Sequence, residues 1–219
     1  MLNAKLRQKL WSLVSKTHSN SSLIIRPDKK PSPIPLHHYF PGNIEQHFLE
    51  LGSGWCEVIL QLAEENVNTG FIAMERKWNR LRRGFELAEQ KNLQNIFFSA
   101  INFQWFLSDI FPENSFDTIF LNFPDPWPKK KHHKNRSIDQ NFLKSIYNIL
   151  KPGGKFLFAT DHFGYARWTI RHLRKFNRFE YTSQEYCFER PALPISSFEQ
   201  EKMDEGKRIF YLERSKPWL

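Results

Sequence analysis

Cysteine is nearly absent, with 2 in 219 residues, Cys56 and Cys187. Two distant thiols give neither a disulfide framework nor a zinc-ligand spacing, and they fit a reducing, cytoplasmic compartment. No stretch approaches the ~18 consecutive apolar residues that a membrane span requires, so no membrane partner is expected. The start also lacks the continuous apolar core of a secretory leader. Glycine is sparse at 9 residues, so the two places where it clusters, 52–54 and 153–154, carry information. Acidic residues are outnumbered, 23 against 32 Lys and Arg, for a net charge of +9. Residues 1–27 contain no Asp or Glu at all. Such an imbalance favours a polyanionic partner.

Aromatic residues are plentiful: 16% of the chain, including 21 Phe and 7 Trp, which predicts an aromatic-rich core. The positive charge comes in blocks. One holds Arg76, Lys77, Arg80, Arg82 and Arg83; a second spans residues 129–136; a third holds Arg167, Arg171, Arg174, Lys175 and Arg178. The spacing of Arg167, Arg171 and Arg174 places them on one helix face. A monomer and a homodimer are both compatible with a chain of this length.

Two segments are expected. In residues 1–43, Leu2, Leu6, Leu10 and Leu13 recur at helical spacing, and a Ser-, Pro- and His-rich flexible arm without regular structure follows over 17–43. A transit peptide could look like this; a basic helix that docks on the domain or on nucleic acid fits better. Residues 44–219 form the domain proper. Strands are read at 48–52, 70–75, 95–100, 116–122 and 155–160, with helices beginning near 58 and covering 78–91, 138–150 and 163–175. A short helix follows Asn102, and Pro152-Gly153-Gly154 closes the helix before it. The segments 178–186 and 207–214 read as a hairpin-like pair around an irregular loop. Strands alternating with helices predict an α/β fold with a doubly wound, mostly parallel sheet.

In such a sheet, ligands sit beyond the carboxyl ends of the strands where strand order reverses. Glu50, Gly52, Gly54, Glu75, Asn102, Asp125 and Asp161 all fall at predicted strand ends. Asp125 stands in Phe123-Pro-Asp-Pro-Trp-Pro128, where three prolines stiffen the chain as it leaves a strand. Trp127 and the lysines 129–131 follow. A rigid carboxylate and ring beside dense positive charge suit a nucleobase carried on a polyanion. A solvated basic loop with a packed tryptophan is the plainer alternative. His132 and His133 lack partners at metal-ligand spacing, so no metal is expected.

The turn Gly52-Ser53-Gly54 suits a nucleotide-type ligand, but Glu57 stands where the third glycine of a dinucleotide fingerprint belongs. A carboxylate there would repel a pyrophosphate. Glu75 ends the second strand, the usual place for an acid that holds ribose hydroxyls. An adenosine ligand without phosphates points to S-adenosyl-L-methionine. A salt bridge from Glu75 to Arg76 or Lys77 is the alternative.

Residues 123–136, FPDPWPKKKHHKNR, resemble the signature loop of the tRNA (guanine-N7)-methyltransferase family. The Leu-Gly-Ser-Gly turn, the acid after strand two, LKPGG at 150–154, ATDH at 159–162 and SSFE at 196–199 agree in order. The resemblance implies a seven-stranded, Rossmann-like class I methyltransferase sheet with its last strand antiparallel. It implies transfer of methyl from S-adenosyl-L-methionine to N7 of tRNA guanine 46 in the variable loop. Glu50, Gly52, Gly54, Glu75, Asn102 and Asp125 would line the cofactor site, with Asp125 catalytic. Lys129, Asp161, Ser196 and Glu199 would contact the guanosine. Residues 129–136 and the arginine face would grip phosphates.

The chain departs from the family pattern at three positions. Cys56 replaces a glycine, Asn102 an aspartate and Ser196 a threonine. Two other readings stand beside this one. Asn122-Phe-Pro-Asp-Pro-Trp127 is loosely similar to the Asn-Pro-Pro-aromatic loops of amine methylators, which would move the reaction to another nucleic-acid atom. Cys56 and Asn102 would also suit a catalytically silent RNA-binding relative.

Overall fold

The structure is a computed structural model that describes residues 8–9, 11, 21–25, 32–34, 36–40, 42–181 and 184–218. Its elements are β1 (Gln46–Leu51), α1 (Glu57–Glu65), β2 (Thr69–Met74), α2 (Trp78–Gln90), β3 (Ile96–Ser99), α3 (Phe103–Ile110) and β4 (Phe116–Asn122). They continue with α4 (Gln140–Ile149), β5 (Leu150–Thr160), α5 (Phe163–Phe176), β6 (Glu180–Tyr181), α6 (Ser197–Asp204) and β7 (Phe210–Ser215). The seven strands form one sheet in the order β3-β2-β1-β4-β5-β7-β6. Pairings among β1 to β5 are parallel, and β7 runs antiparallel to both β5 and β6. This is the expected doubly wound sheet with an antiparallel final strand.

Burial on both faces explains why these strands form. In β2, Gly70-Phe-Ile-Ala-Met74 is wholly buried, and in β4 so are Thr118 to Leu121. Near-continuous apolar runs suit a parallel sheet covered by helices on each side. The helices bury single faces instead: Leu81, Gly84, Phe85 and Ala88 on α2, and Phe142, Leu143, Ile146 and Ile149 on α4.

Three local expectations are corrected. The Pro152-Gly153-Gly154 segment lies within β5, where the register against β4 shifts between Phe116 and Thr118. Gly153 sits at φ 76°, and the Trp218 ring would stand 2.1 Å from a Cβ there, so only glycine fits. Secondly, the loop between the hairpin segments contains α6. Only Glu199 of that helix is buried, so no apolar periodicity announced it.

Thirdly, the arm is partly ordered against the sheet. Ile25 N–H donates to the Phe98 carbonyl, and Phe98 N–H to the Leu23 carbonyl, both at 2.8 Å. This short parallel pairing covers the open edge of β3. Trp11 is buried edge-on to Phe106 at 4.8 Å, and Phe40 packs over Gly70. Gln8, Lys9 and Trp11 are helical; the rest of the expected helix over 1–16 lies outside the described residues.

Cys56, at the family's glycine position, adopts φ 63° at the start of α1. A left-handed conformation costs a non-glycine residue about 1–2 kcal/mol. The side chain is accommodated because α2 carries Gly84 opposite: a Cβ on residue 84 would stand 2.5 Å from the Cys56 sulfur. Gly84→Ala should therefore destabilise the fold by about 1–3 kcal/mol. Cys56→Gly in that background should recover part of the loss in a double-mutant cycle of denaturant unfolding. Additive effects would contradict this packing account.

Candidate active site

The crevice opens between β1 and β4, where successive strands begin to be added on the other side of β1. At its floor the chain leaves β1 through Gly52 and Gly54, at φ 73° and 55°. The N–H groups of Gly52 and Ser53 both donate to the Met74 carbonyl, at 2.7 and 3.0 Å, tying the turn to the end of β2. A Cβ at Gly54 would meet nothing within 4 Å, so space stands open above the turn.

Three polar residues flank that space. Glu50 is buried, and burial pushes its carboxyl up to about 8 against the opposing pull of Arg190 and the Ile59 backbone. Its Oε2 has no hydrogen-bond partner. One unpartnered oxygen on a buried carboxyl leaves an acceptor position open to a ligand. Glu75, also buried, follows β2; its Oε1 accepts from the Lys77 backbone N–H at 2.9 Å. Asn102 caps α3, its side-chain oxygen accepting from Gln104 N–H at 3.0 Å. Asn and Asp cap equally well, so the departure at 102 leaves the helix start intact.

The proline loop rises at the end of β4. Phe123 N–H donates to the Ala159 carbonyl at 2.8 Å, which anchors the exit. Phe123 and Trp127 adopt φ 47° and 43°, so two left-handed residues bracket the exposed Asp125. Conformations of that kind persist only when the surroundings impose them. Arg136 does much of the imposing. It is 6% exposed, lies 5.0 Å from the ring centroids of both Tyr165 and Trp168, and donates from Nε to the Pro126 carbonyl at 2.8 Å. Desolvation lowers its pKa. The expectation that Arg136 grips phosphate is thereby corrected: it is an internal clamp on the loop. Lys129, Lys130, Lys131 and Lys134 are exposed, as are Arg167, Arg171 and Arg174, although Arg174 is engaged by Glu185. Trp127 stands edge-on to His132 at 5.8 Å.

The far wall belongs to the ends of β5 and β7. Asp161 follows β5, with Lys207 at 3.6 Å. Ser196 caps α6, its hydroxyl accepting from Glu199 N–H at 3.2 Å. Ser197 donates from its N–H and hydroxyl to the two Glu57 oxygens, at 2.7 and 2.8 Å, joining α6 to the start of α1. Glu199 is fully buried and held by the Arg190 guanidinium and the Tyr211 hydroxyl, so it faces protein groups. Burial and Glu199 both push the Tyr211 hydroxyl upward. Arg190 also donates to the Leu193 carbonyl at 2.8 Å.

The expected residues thus fall into two groups. Glu50, Gly52, Gly54, Glu75 and Asn102 gather at the β1–β3 ends, and Asp125, Lys129 and Asp161 at the β4–β5 ends. Ser196 and Glu199 lie at the far wall, where Ser197 ties α6 to Glu57 at the start of α1 and Arg190 holds Glu199. Arg190 and Tyr211 were not foreseen. Both meet at Glu199, 9 residues after Arg190 and 12 before Tyr211, and Arg190 stands in a stretch without periodicity. Asn122, at the end of β4, carries a second buried orphan in its amide nitrogen.

Glu50 predicts a pH signature for the folded chain. Its carboxyl lies at about 8 when folded against an ordinary 4.5. Between those values the folded chain holds a proton that the unfolded chain has released. Its contribution is therefore fully present below pH 4.5 and is lost as pH rises through about 8. Melting curves of wild type and Glu50→Gln should diverge over that interval, with the wild type losing more stability. Parallel profiles would contradict the assignment.

Comparison with known proteins gives these features a family. A family model described as "Putative methyltransferase" matches residues 45–212. The tRNA (guanine-N(7)-)-methyltransferase of Leptospira interrogans (strain 56601) is 44% identical over 211 residues, covering 95% of this chain and 96% of that protein. The enzyme of the same name from Agrobacterium fabrum is 35% identical over 79% of this chain and 75% of its own length. Among solved structures, the 16S rRNA methyltransferase KamB superposes with a TM-score of 0.59 at 12% identity, covering 80% of this chain and 89% of that one; this likeness shows the fold alone. The chain belongs to the tRNA (guanine-N7)-methyltransferase family.

Proposed function

We propose that this chain transfers the methyl group of S-adenosyl-L-methionine to N7 of guanine 46 in the variable loop of tRNA, forming 7-methylguanosine. The observation that carries the reading is Asp125, exposed at the β4 end on a loop that Arg136 clamps from inside. The names and the identity of the relatives support the same substrate.

The residues present fit the cofactor. The orphaned carboxyl of Glu50 suits an ammonium, Glu75 suits ribose hydroxyls, and Asn102 suits an adenine edge. The open space at Gly54 lets a ligand approach the backbone closely. When bound, S-adenosyl-L-methionine supplies an electrophilic methyl on a sulfonium sulfur.

Guanine N7 already carries a free lone pair, so no residue need remove a proton first. The chain's task is alignment, and positioning of this kind can supply much of a rate enhancement. Asp125 accepts hydrogen bonds from the donor edge of guanine. Its charge offsets the positive charge that the ring acquires on alkylation. Lys129 and Asp161 flank the base on either side of the β4–β5 ends. Ser196 and Glu199 hold the far wall, with Arg190 stapling Glu199 to the segment before α6. The exposed lysines of 129–134 and the arginines of α5 contact phosphates.

Asp125→Ala should fold normally, since the side chain is exposed, and bind cofactor, yet lose at least about 10²-fold in kcat/KM for tRNA. Asp125→Asn should fall between the two. Near-normal turnover by Asp125→Ala would overturn the role. A tRNA with adenine at position 46 should accept no methyl; undiminished labelling would move the target.

Phosphate contacts from Lys129, Lys130, Lys131, Lys134, Arg167 and Arg171 predict a steep salt dependence. About six such contacts give a slope near −5 for log affinity against log salt. Fluorescence titration across salt concentrations checks this, and a slope near zero would contradict the electrostatic grip.

A further inference from the structure

Beyond Asp161 the surface carries aromatic groups that the reaction above does not use. Phe163 and Phe188 are 55% and 50% exposed. Both rings lean on buried Phe210, with centroids 5.6 Å away in each case. Tyr186 closes the cluster, 5.5 Å from both Phe188 and Phe210. Phe210 pairs with Thr160 across β5 and β7, so the platform is rooted in the sheet, one residue from Asp161. Arg208 lies over Phe188 at 5.1 Å and Arg167 over Phe163 at 5.7 Å. Among the described residues, neither arginine has a carboxylate partner.

Two half-exposed phenylalanines on a rigid base are costly to present to water, and such patches mark contact surfaces. Their setting narrows the partner. Each outer ring carries a guanidinium, whereas Lys207 beside them is already paired with Asp161 and Glu205. A second protein chain would have to desolvate those cations. A nucleic acid satisfies both features together, since a base stacks on a ring while its phosphate meets the arginine. Unstacked bases in RNA loops are recognised in this way.

The order of the strands places the platform. Cofactor residues lie at the ends of β1 and β2, and Asp125 at the end of β4. β5 and β7 come next in the sheet, and Phe163, Phe188 and Phe210 stand at their ends. We infer that Phe163 and Phe188 form a stacking subsite for the unpaired nucleotide adjacent to the target guanine, with Arg167 and Arg208 on its phosphates. This rests on the tRNA reading above. The subsite would hold the neighbouring base splayed out, which leaves the target guanine free to enter between Asp125 and Asp161.

The test is binding of unmodified tRNA by Phe163→Ala, Phe188→Ala and the double variant, measured by fluorescence anisotropy, with transfer kinetics alongside. Each single truncation should weaken tRNA binding roughly tenfold, as loss of one base stack does. The tRNA KM should rise in parallel, while cofactor affinity and the melting temperature stay at the wild-type values. Phe188→Trp should restore binding, which a merely structural role would not require. A tRNA abasic at the position next to the target should bind wild type and the double variant equally. Wild-type affinity in the alanine variants would overturn the subsite, as would an unchanged preference for the intact over the abasic tRNA. A shift in oligomeric state by sedimentation, with tRNA affinity retained, would make the patch a protein interface and overturn it too. Because binding is read without chemistry, a wild type that binds tRNA but transfers no methyl would sink the proposed reaction and leave the subsite judged on affinity.

Discussion

The arrangement depends on one topological constraint, the placement of β2 and β4 on opposite sides of β1. Connections from adjacent parallel strands then diverge to opposite faces of the sheet and leave a crevice between them. The turn after β1 lies there: a Cβ at Gly54 would meet nothing within 4 Å, while the Phe103 ring stands beside Gly52. The Glu50 carboxyl is buried just before the Gly52–Gly54 turn, with one oxygen left without a hydrogen-bond partner. Asn122 at the end of β4 and Ser99 at the end of β3 also carry buried polar atoms without hydrogen-bond partners.

Positive charge in this chain has two distinct uses. Arg136 and Arg190 are withdrawn from solvent and act as internal staples. One fixes the proline loop from below and the other fixes the segment leading into α6. The lysines of 129–134 and Arg167 and Arg171 of α5 stay in water, exposed to a polyanion. The clamp makes the exposed charge useful. A carboxylate on a loose basic loop would be drawn to neighbouring lysines. Held between two left-handed residues, Asp125 stays presented. Rigidity under the loop and charge on its surface are thus separate contributions from the same run of residues.

Much of this was legible in the sequence because burial on both faces writes strands as apolar runs and pins their ends with Gly, Pro, Asp and Asn. The five parallel strands and the residues at their tips could be read in that way; the antiparallel last strand came from the family resemblance. What escaped has physical reasons. Helix α6 buries only Glu199, so it has a cap but no stripe; the Ser196-to-Glu199 capping pattern was its one signal. Arg136 sits in a charge run whose composition cannot reveal which member turns inward. Arg190 holds Leu193, Pro194 and Glu199 within an irregular stretch, where no period marks which residue turns inward. The pairing of Leu23 and Ile25 with Phe98 was hinted at by an apolar triplet in a polar arm, but edge pairing has no periodicity over three residues. The left-handed Cys56 is explained only by Gly84, 28 positions later and on another helix.

The central claim is that the crevice and the proline loop together alkylate one atom of one base. Its most direct test is incubation of the full chain with methyl-labelled S-adenosyl-L-methionine and unmodified bulk tRNA, followed by digestion to nucleosides. The account predicts label in 7-methylguanosine and in no other nucleoside. Label in an N-methylated exocyclic amine, or tRNA bound with no label at all, would contradict it.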